Sequence, residues 1–305
     1  MTRRTPVTHR PQQRSVHEYP LAGPGAGPYG IAVDTDGSLW ATLIHHGQIA
    51  HVKQDGSTIL YSLDSSTCAP SLITTGSDHA TWFTRTKDNR IGRITTTGKT
   101  NSFALPTPEA QPFGITVGPD GALWFTEMNA DRIGRITTDG DINEFPLPTQ
   151  GAFPSFITPG PDEALYFTLN QANAVGRITT SGKVTLHPLP TSGAGPVGIT
   201  RGSDNALWFV EIAAGQIGRL TMDGHIQEFP LPQRDSRPHA IIADPEGGGW
   251  FTEWGANRVG HITEEGDIDL FDLPTPSGEP HGITVTDDGI VWVALESGSI
   301  VSLTP

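Results

Sequence analysis

Four ionisable side chains and a phenol occupy positions from which they could act together. His239 and His281 lie 42 residues apart, Glu279 precedes His281 by two residues, Glu296 follows it by 15, and Tyr29 sits near the N-terminus. A neutral imidazole, whose unperturbed pKa is about 6.5, is a suitable general base near neutral pH. Two carboxylates, with water and a substrate oxygen, suit a hard divalent cation such as Mg²⁺, which keeps several waters and seldom has an all-protein cage. Zinc fits less well, because no dense nitrogen and sulfur cluster accompanies the two histidines. Spacing alone leaves a blander reading open, in which Glu279 and Glu296 solvate a rim and the histidines are polar rim residues.

These residues can meet only if a regular scaffold brings distant segments together, and the chain repeats. An aromatic after a turn recurs at Trp40, Trp82, Trp124, Tyr166, Trp208, Trp250 and Trp292, each step being 42 residues. An upstream proline keeps the same period, from Pro28 through Pro154 to Pro280. One unit, residues 112 to 153, holds four short apolar runs, GITV, ALWFTE, RIGRIT and INEFPLP, separated by turn residues. β-branched and alternating apolar residues bounded by Gly, Asp and Asn predict strands. Four strands in about 40 to 45 residues make a propeller blade. The sequence therefore predicts an all-β, seven-bladed β-propeller with four-stranded blades, forming a single domain over residues 15 to 305.

The fourth-strand aromatic falls at Tyr19, Tyr61, Phe103, Phe145, Phe229 and Phe271, with His187 in the same frame. The next would fall beyond Pro305, so Glu18-Tyr19-Pro20-Leu21 is expected to close the last blade as its outer strand. Residues 1 to 14 lie outside the repeat and are expected to be disordered. Antiparallel strands place the start of strand one and the end of strand two on one face. The residue after the repeat proline then forms a ring: Tyr29, Ser71, Phe113, Ser155, Val197, His239, His281. Closure brings Tyr29 beside the last blade, where Glu279, His281 and Glu296 converge. Glu127, Glu211 and Glu253 recur in one frame, which argues for structural pairing with arginines of neighbouring turns. His45, His46, His51 and His79 read as exposed loop or outer-strand residues.

Composition narrows the partners. The chain has 36 Gly and 26 Pro among 305 residues, about a fifth of its length, against roughly 12% in average proteins. That excludes long helices and bundles. With 19 basic and 33 acidic residues the net charge is −14, so neither nucleic acid nor an anionic membrane surface is an expected partner. The lone Cys68 forms no internal disulfide. The basic N-terminus lacks the apolar run of a secretory signal, so a cytoplasmic monomer is expected.

The recurrent WFTE, IGRIT and E-F-x-LP elements resemble the streptogramin B lyase (virginiamycin B lyase) family over residues 16 to 304. More specific are Arg237-Pro238-His239-Ala240, Glu253-Trp254-Gly255-Ala256-Asn257 and Glu279-Pro280-His281-Gly282. The resemblance implies a Mg²⁺-dependent carbon–oxygen lyase that linearises type B streptogramins, cyclic hexadepsipeptide antibiotics, by elimination at the threonyl ester and so confers resistance. It implies His281 as proton acceptor, Glu279 and Glu296 as Mg²⁺ ligands, His239 as a substrate contact, and Tyr29 and Glu253 as lesser wall contacts. Blade seven departs from the family pattern at ESGSIVSL, Tyr166 replaces the repeat Trp, and the basic tail is extra. Two alternatives stand beside this reading: a non-catalytic propeller binding module, and a propeller lactone hydrolase. The latter usually carries Asn and Asp metal ligands on the axis, and the first-strand ring has no such concentration.

Overall fold

Among the described residues, 14–23 and 25–304 of a computed structural model, 28 strands form seven four-stranded antiparallel sheets. Blade 1 runs Pro28–Val33, Leu39–Leu43, Gln48–Val52 and Thr58–Ser62, and each later blade repeats this order. The last blade takes Pro280–Val285, Val291–Leu295 and Ser299–Thr304 from the C-terminus and Ser15–Pro20 as its outer strand. Glu18 pairs with Val301 and Tyr19 with Ile300, so the expected closure is present. It removes the open edge that an unclosed ring would expose. The expected disorder of residues 1 to 14 falls outside the described residues except for Arg14. That residue is packed: its guanidinium lies 4.5 Å from the centre of the Trp250 ring.

The second strands carry the core, because the sheets twist and face each other through them. Trp40, Trp82, Trp124 and Trp208 are fully buried, as are Phe83, Phe125, Phe167, Phe209 and Phe251. The repeat tryptophan is anchored by its own turn. Trp124 Nε1 donates to Asp120 Oδ1 at 3.0 Å, and Arg135 Nε to Asp120 Oδ2 at 2.7 Å; Asp78 and Asp204 join their Trp and Arg in the same way. The glycine of IGRIT is required by the opposite phenylalanine, since a Cβ on Gly134 would meet the Phe125 ring at 2.0 Å. In blade 1 a histidine takes the arginine frame. His51, expected to be exposed, is buried; its ring stacks 4.0 Å from Trp40 and its Nε2 bonds the Ser38 hydroxyl.

Blades are stitched by the threonine of WFT. Its hydroxyl donates to the carbonyl of the ring residue in the next blade: Thr42 to Ser71 at 2.6 Å, Thr84 to Phe113 at 2.7 Å, Thr126 to Ser155 at 2.6 Å, and Thr252 to His281 at 3.0 Å. The residue that follows each repeat proline is thus held by a buried bond from its neighbour.

The three recurrent glutamates are fully buried, and they find different partners. Glu253 accepts from Arg258 Nε at 2.8 Å and Glu211 from Gln216 Nε2 at 2.6 Å, whereas both oxygens of Glu127 lack a partner. The expected arginine pairing therefore holds for one of the three. Burial, reinforced by the charge of Glu144, pushes Glu127 up to about 8. The folded chain then keeps a proton there that the unfolded chain releases near its ordinary pKa. Stability consequently falls as pH rises from about 4.5 to 8, by at most about 1.4 kcal/mol per pH unit from this group. Glu127→Gln should flatten that fall, read as the urea midpoint at pH 6 and pH 8. Parallel shifts in variant and wild type would exclude a proton on Glu127.

Candidate active site

The site lies where the ring closes, between blades 6, 7 and 1. The residue before each repeat proline adopts positive φ in all seven blades, Gly27 at 70°, Gly195 at 63°, and Ala69, Gln111, Phe153, Arg237 and Glu279 between 49° and 54°. This left-handed backbone costs a non-glycine residue roughly 1–2 kcal/mol, and the strand-entry turn imposes it throughout the repeat. Glu279 accordingly stands on the rim, while the proline and His281 turn inward. The Glu296 amide donates to the Glu279 carbonyl at 3.1 Å, which ties the two carboxylate-bearing segments together.

Tyr29, His239 and His281 form one aromatic cluster. The Tyr29 and His281 rings stack at 4.4 Å, while His239 meets Tyr29 edge-on at 5.9 Å and His281 edge-on at 4.8 Å. The Tyr29 hydroxyl lies 3.3 Å from His239 Nε2. On its other side His281 faces Trp254 at 6.3 Å, and the Arg237 guanidinium sits 5.2 Å from the Trp254 ring centre. Phe156 contacts His239 edge-on at 5.8 Å. Below it runs an axial channel of about 340 Å³ lined by first-strand residues such as Ile31, Ile73, Ile115, Ile241 and Ile283, with no carboxylate or imidazole among them.

The electrostatics separate the roles open to each group. His239 is 8% exposed, and burial, with His281 beside it, lowers its pKa to about 3, so it stays a neutral ring. Burial, with the charge of Glu296, pushes the Tyr29 phenol above its ordinary range. The hydrogen bond from His281 holds Glu296 below the usual carboxylate range, against the effect of burial. Glu296 is therefore ionised near neutral pH and can only accept. His281 Nε2 lies 2.6 Å from Glu296 Oε2, so the ring proton sits on Nε2. In the neutral imidazole the lone pair is then on Nδ1, which is buried and has no partner among the described residues. Nδ1 is therefore closed to a substrate in this arrangement, and Nε2 is the nitrogen on the carboxylate side of the ring.

The donor set fits a divalent cation. Glu279, His281 and Glu296 offer ligand atoms within 4.8 Å of one another. The Glu279 side chain makes no hydrogen bond among the described residues, and Glu296 is ionised, so the group offers two hard oxygen donors.

The structure brings together all five expected site residues, Tyr29, His239, Glu279, His281 and Glu296. Glu253, expected as a lesser wall contact, is instead fully buried against Arg258. Sequence reasoning overlooked His45, whose Nε2 lies 2.8 Å from Glu296 Oε1. The available signal was its frame: five residues past the repeat aromatic, on the same face as the ring, in the blade that closure sets beside Glu296.

Residues 14–303 match the profile of the virginiamycin B lyase family. Among solved structures, a selenomethionine-substituted virginiamycin B lyase from Staphylococcus aureus is 46% identical, with a TM-score of 0.94, over 96% of this chain and all of that one. A catalytically inactive variant of the Staphylococcus aureus protein with a histidine-to-alanine substitution, solved with quinupristin, matches equally well, at 46% identity and TM-score 0.94 over the same shares. A curated relative, the virginiamycin B lyase of Saccharopolyspora erythraea, is 54% identical over 41 residues, a span of 13% of this chain and 14% of that protein.

Proposed function

This chain belongs to the virginiamycin B lyase family, and from that membership we propose that it is a Mg²⁺-dependent carbon–oxygen lyase inactivating type B streptogramins. The ester of these macrocycles joins a threonine side-chain oxygen to the C-terminal carboxyl. His281 takes the threonine α-proton, the Cα–Cβ double bond forms, and the Cβ–O bond breaks with its electrons leaving on a carboxylate. The threonine becomes dehydrobutyrine and the ring opens without added water. The observation that carries this reading is the His281–Glu296 hydrogen bond at 2.6 Å, which orients the imidazole beside a carboxylate at the closing seam. The quinupristin complex of an inactive histidine-to-alanine relative supports both the ligand class and a histidine as the essential group.

Glu279 and Glu296 would hold the cation. When bound, Mg²⁺ supplies Lewis-acid stabilisation to a carbonyl oxygen beside the weakly acidic α-carbon. Neutral His239 and the Tyr29 phenol shape the wall against which the macrocycle rests, and the Tyr29 ring, stacked at 4.4 Å, orients the His281 ring. A broad rim suits a macrocycle better than a deep slot. Mass measurement on treated antibiotic tests the proposal. Pure protein with Mg²⁺ should convert a type B streptogramin to a linear product of unchanged mass. A gain of one water would make the protein a hydrolase, and no consumption across a streptogramin panel would make it a binding module.

A further inference from the structure

We infer that His45 is a positioning residue for Glu296, holding that carboxylate across the seam between the first and last blades in the orientation that receives the cation. The inference rests on the reading of Glu296 as a cation ligand. A glutamate fixed through one oxygen can still swing about its last side-chain bond. Here both oxygens are engaged, Oε2 by His281 Nε2 at 2.6 Å and Oε1 by His45 Nε2 at 2.8 Å, from opposite sides of the seam. Two donors on different oxygens fix the plane of the carboxylate as well as its distance. Groups that bond a ligating carboxylate in this way commonly control metal affinity.

The donor is itself held in place. The loop after strand two of blade 1 is pinned to its own strand-entry turn, Ile44 N donating to Gly27 O at 2.8 Å and His45 N to Ala26 O at 3.2 Å. A second, independent observation concerns the space the ring needs. Five blades carry a side chain immediately before the repeat proline, whereas blades 1 and 5 carry Gly27 and Gly195. A Cβ on Gly27 would come within 2.4 Å of His45 Cδ2. Glycine at this position is what lets the imidazole lie over the turn and reach Glu296. The positive φ of Gly27 does not by itself demand glycine, since Ala69 holds the same frame in blade 2 at 49°. The ring and its partner are 251 residues apart in sequence, and only closure unites them.

Calorimetric titration of Mg²⁺ into the full-length protein tests this. His45→Ala should weaken Mg²⁺ binding by about 10- to 100-fold, with an unchanged thermal midpoint in EDTA, because the His45 side chain is half exposed and carries little of the fold. His45→Gln, which keeps a side-chain donor, should recover most of the loss, and Gly27→Ala should reproduce part of it with His45 intact. If wild type binds Mg²⁺, Glu296→Gln does not, and His45→Ala binds as wild type does, the positioning role is wrong. If wild type binds no Mg²⁺, the assignment of Glu296 as a ligand fails and takes this inference with it.

Discussion

Substitution of His281 by alanine should lower kcat by about 10²- to 10⁴-fold, the usual contribution of a positioned general base. KM should change much less, because the wall against which the macrocycle would rest is that of His239 and Tyr29. The buried position of His281 (6% exposed) makes a folding check necessary. The backbone there is held from outside the side chain, by the Thr252 hydroxyl on the His281 carbonyl, and a loss of about 3 kcal/mol or less in unfolding free energy is expected for a large-to-small change there. His281→Asn is the companion variant: it can donate to Glu296 but has no basic nitrogen, so it should fold normally and be equally inactive. Near-normal turnover of either variant in excess Mg²⁺ would remove His281 from the mechanism.

Loss of the cation should be as damaging. EDTA should abolish turnover and added Mg²⁺ restore it. Glu296→Gln should lower activity by about 10²-fold or more, since it removes an ionised ligand and leaves a single acceptor oxygen for the two donors His281 and His45. Glu279→Gln removes only a ligand, because Glu279 makes no side-chain hydrogen bond among the described residues. Its defect should therefore be relieved in part by raising Mg²⁺, whereas that of Glu296→Gln should not. Activity retained in EDTA by wild type would eliminate the metal from the reaction, and equal rescue of both variants would deny Glu296 its second role.

Much of this architecture could be read before any coordinate, for a physical reason. A propeller blade cannot bury its faces alone, so every unit must present the same Pro, Trp and Gly at the same register, and the 42-residue period exposes that demand. The ring of residues after the repeat proline follows from strand direction, so the convergence of Tyr29, His239 and His281 was visible too. What was not visible depends on rotamers and on closure. His51 sits in the frame that carries a partly exposed arginine in blades 2 to 5; the fit of its ring on Trp40 makes it a core residue. Glu127, Glu211 and Glu253 look alike in sequence, yet no partner, Gln216 and Arg258 meet them in turn, because a cross-strand side chain must also reach. His45 joins the site through a contact across the closing seam; its frame marks the face it lies on, and closure supplies the partner.

The most direct test of the account uses an antibiotic deuterated at the threonine α-carbon. If His281 abstracts the α-hydrogen, the linear product should lose that deuterium to solvent, gain no water, and form more slowly than from the unlabelled ester. Retention of the label with the mass of one added water would show attack at the ester carbonyl, and would contradict the assignment of His281 as the base of an elimination.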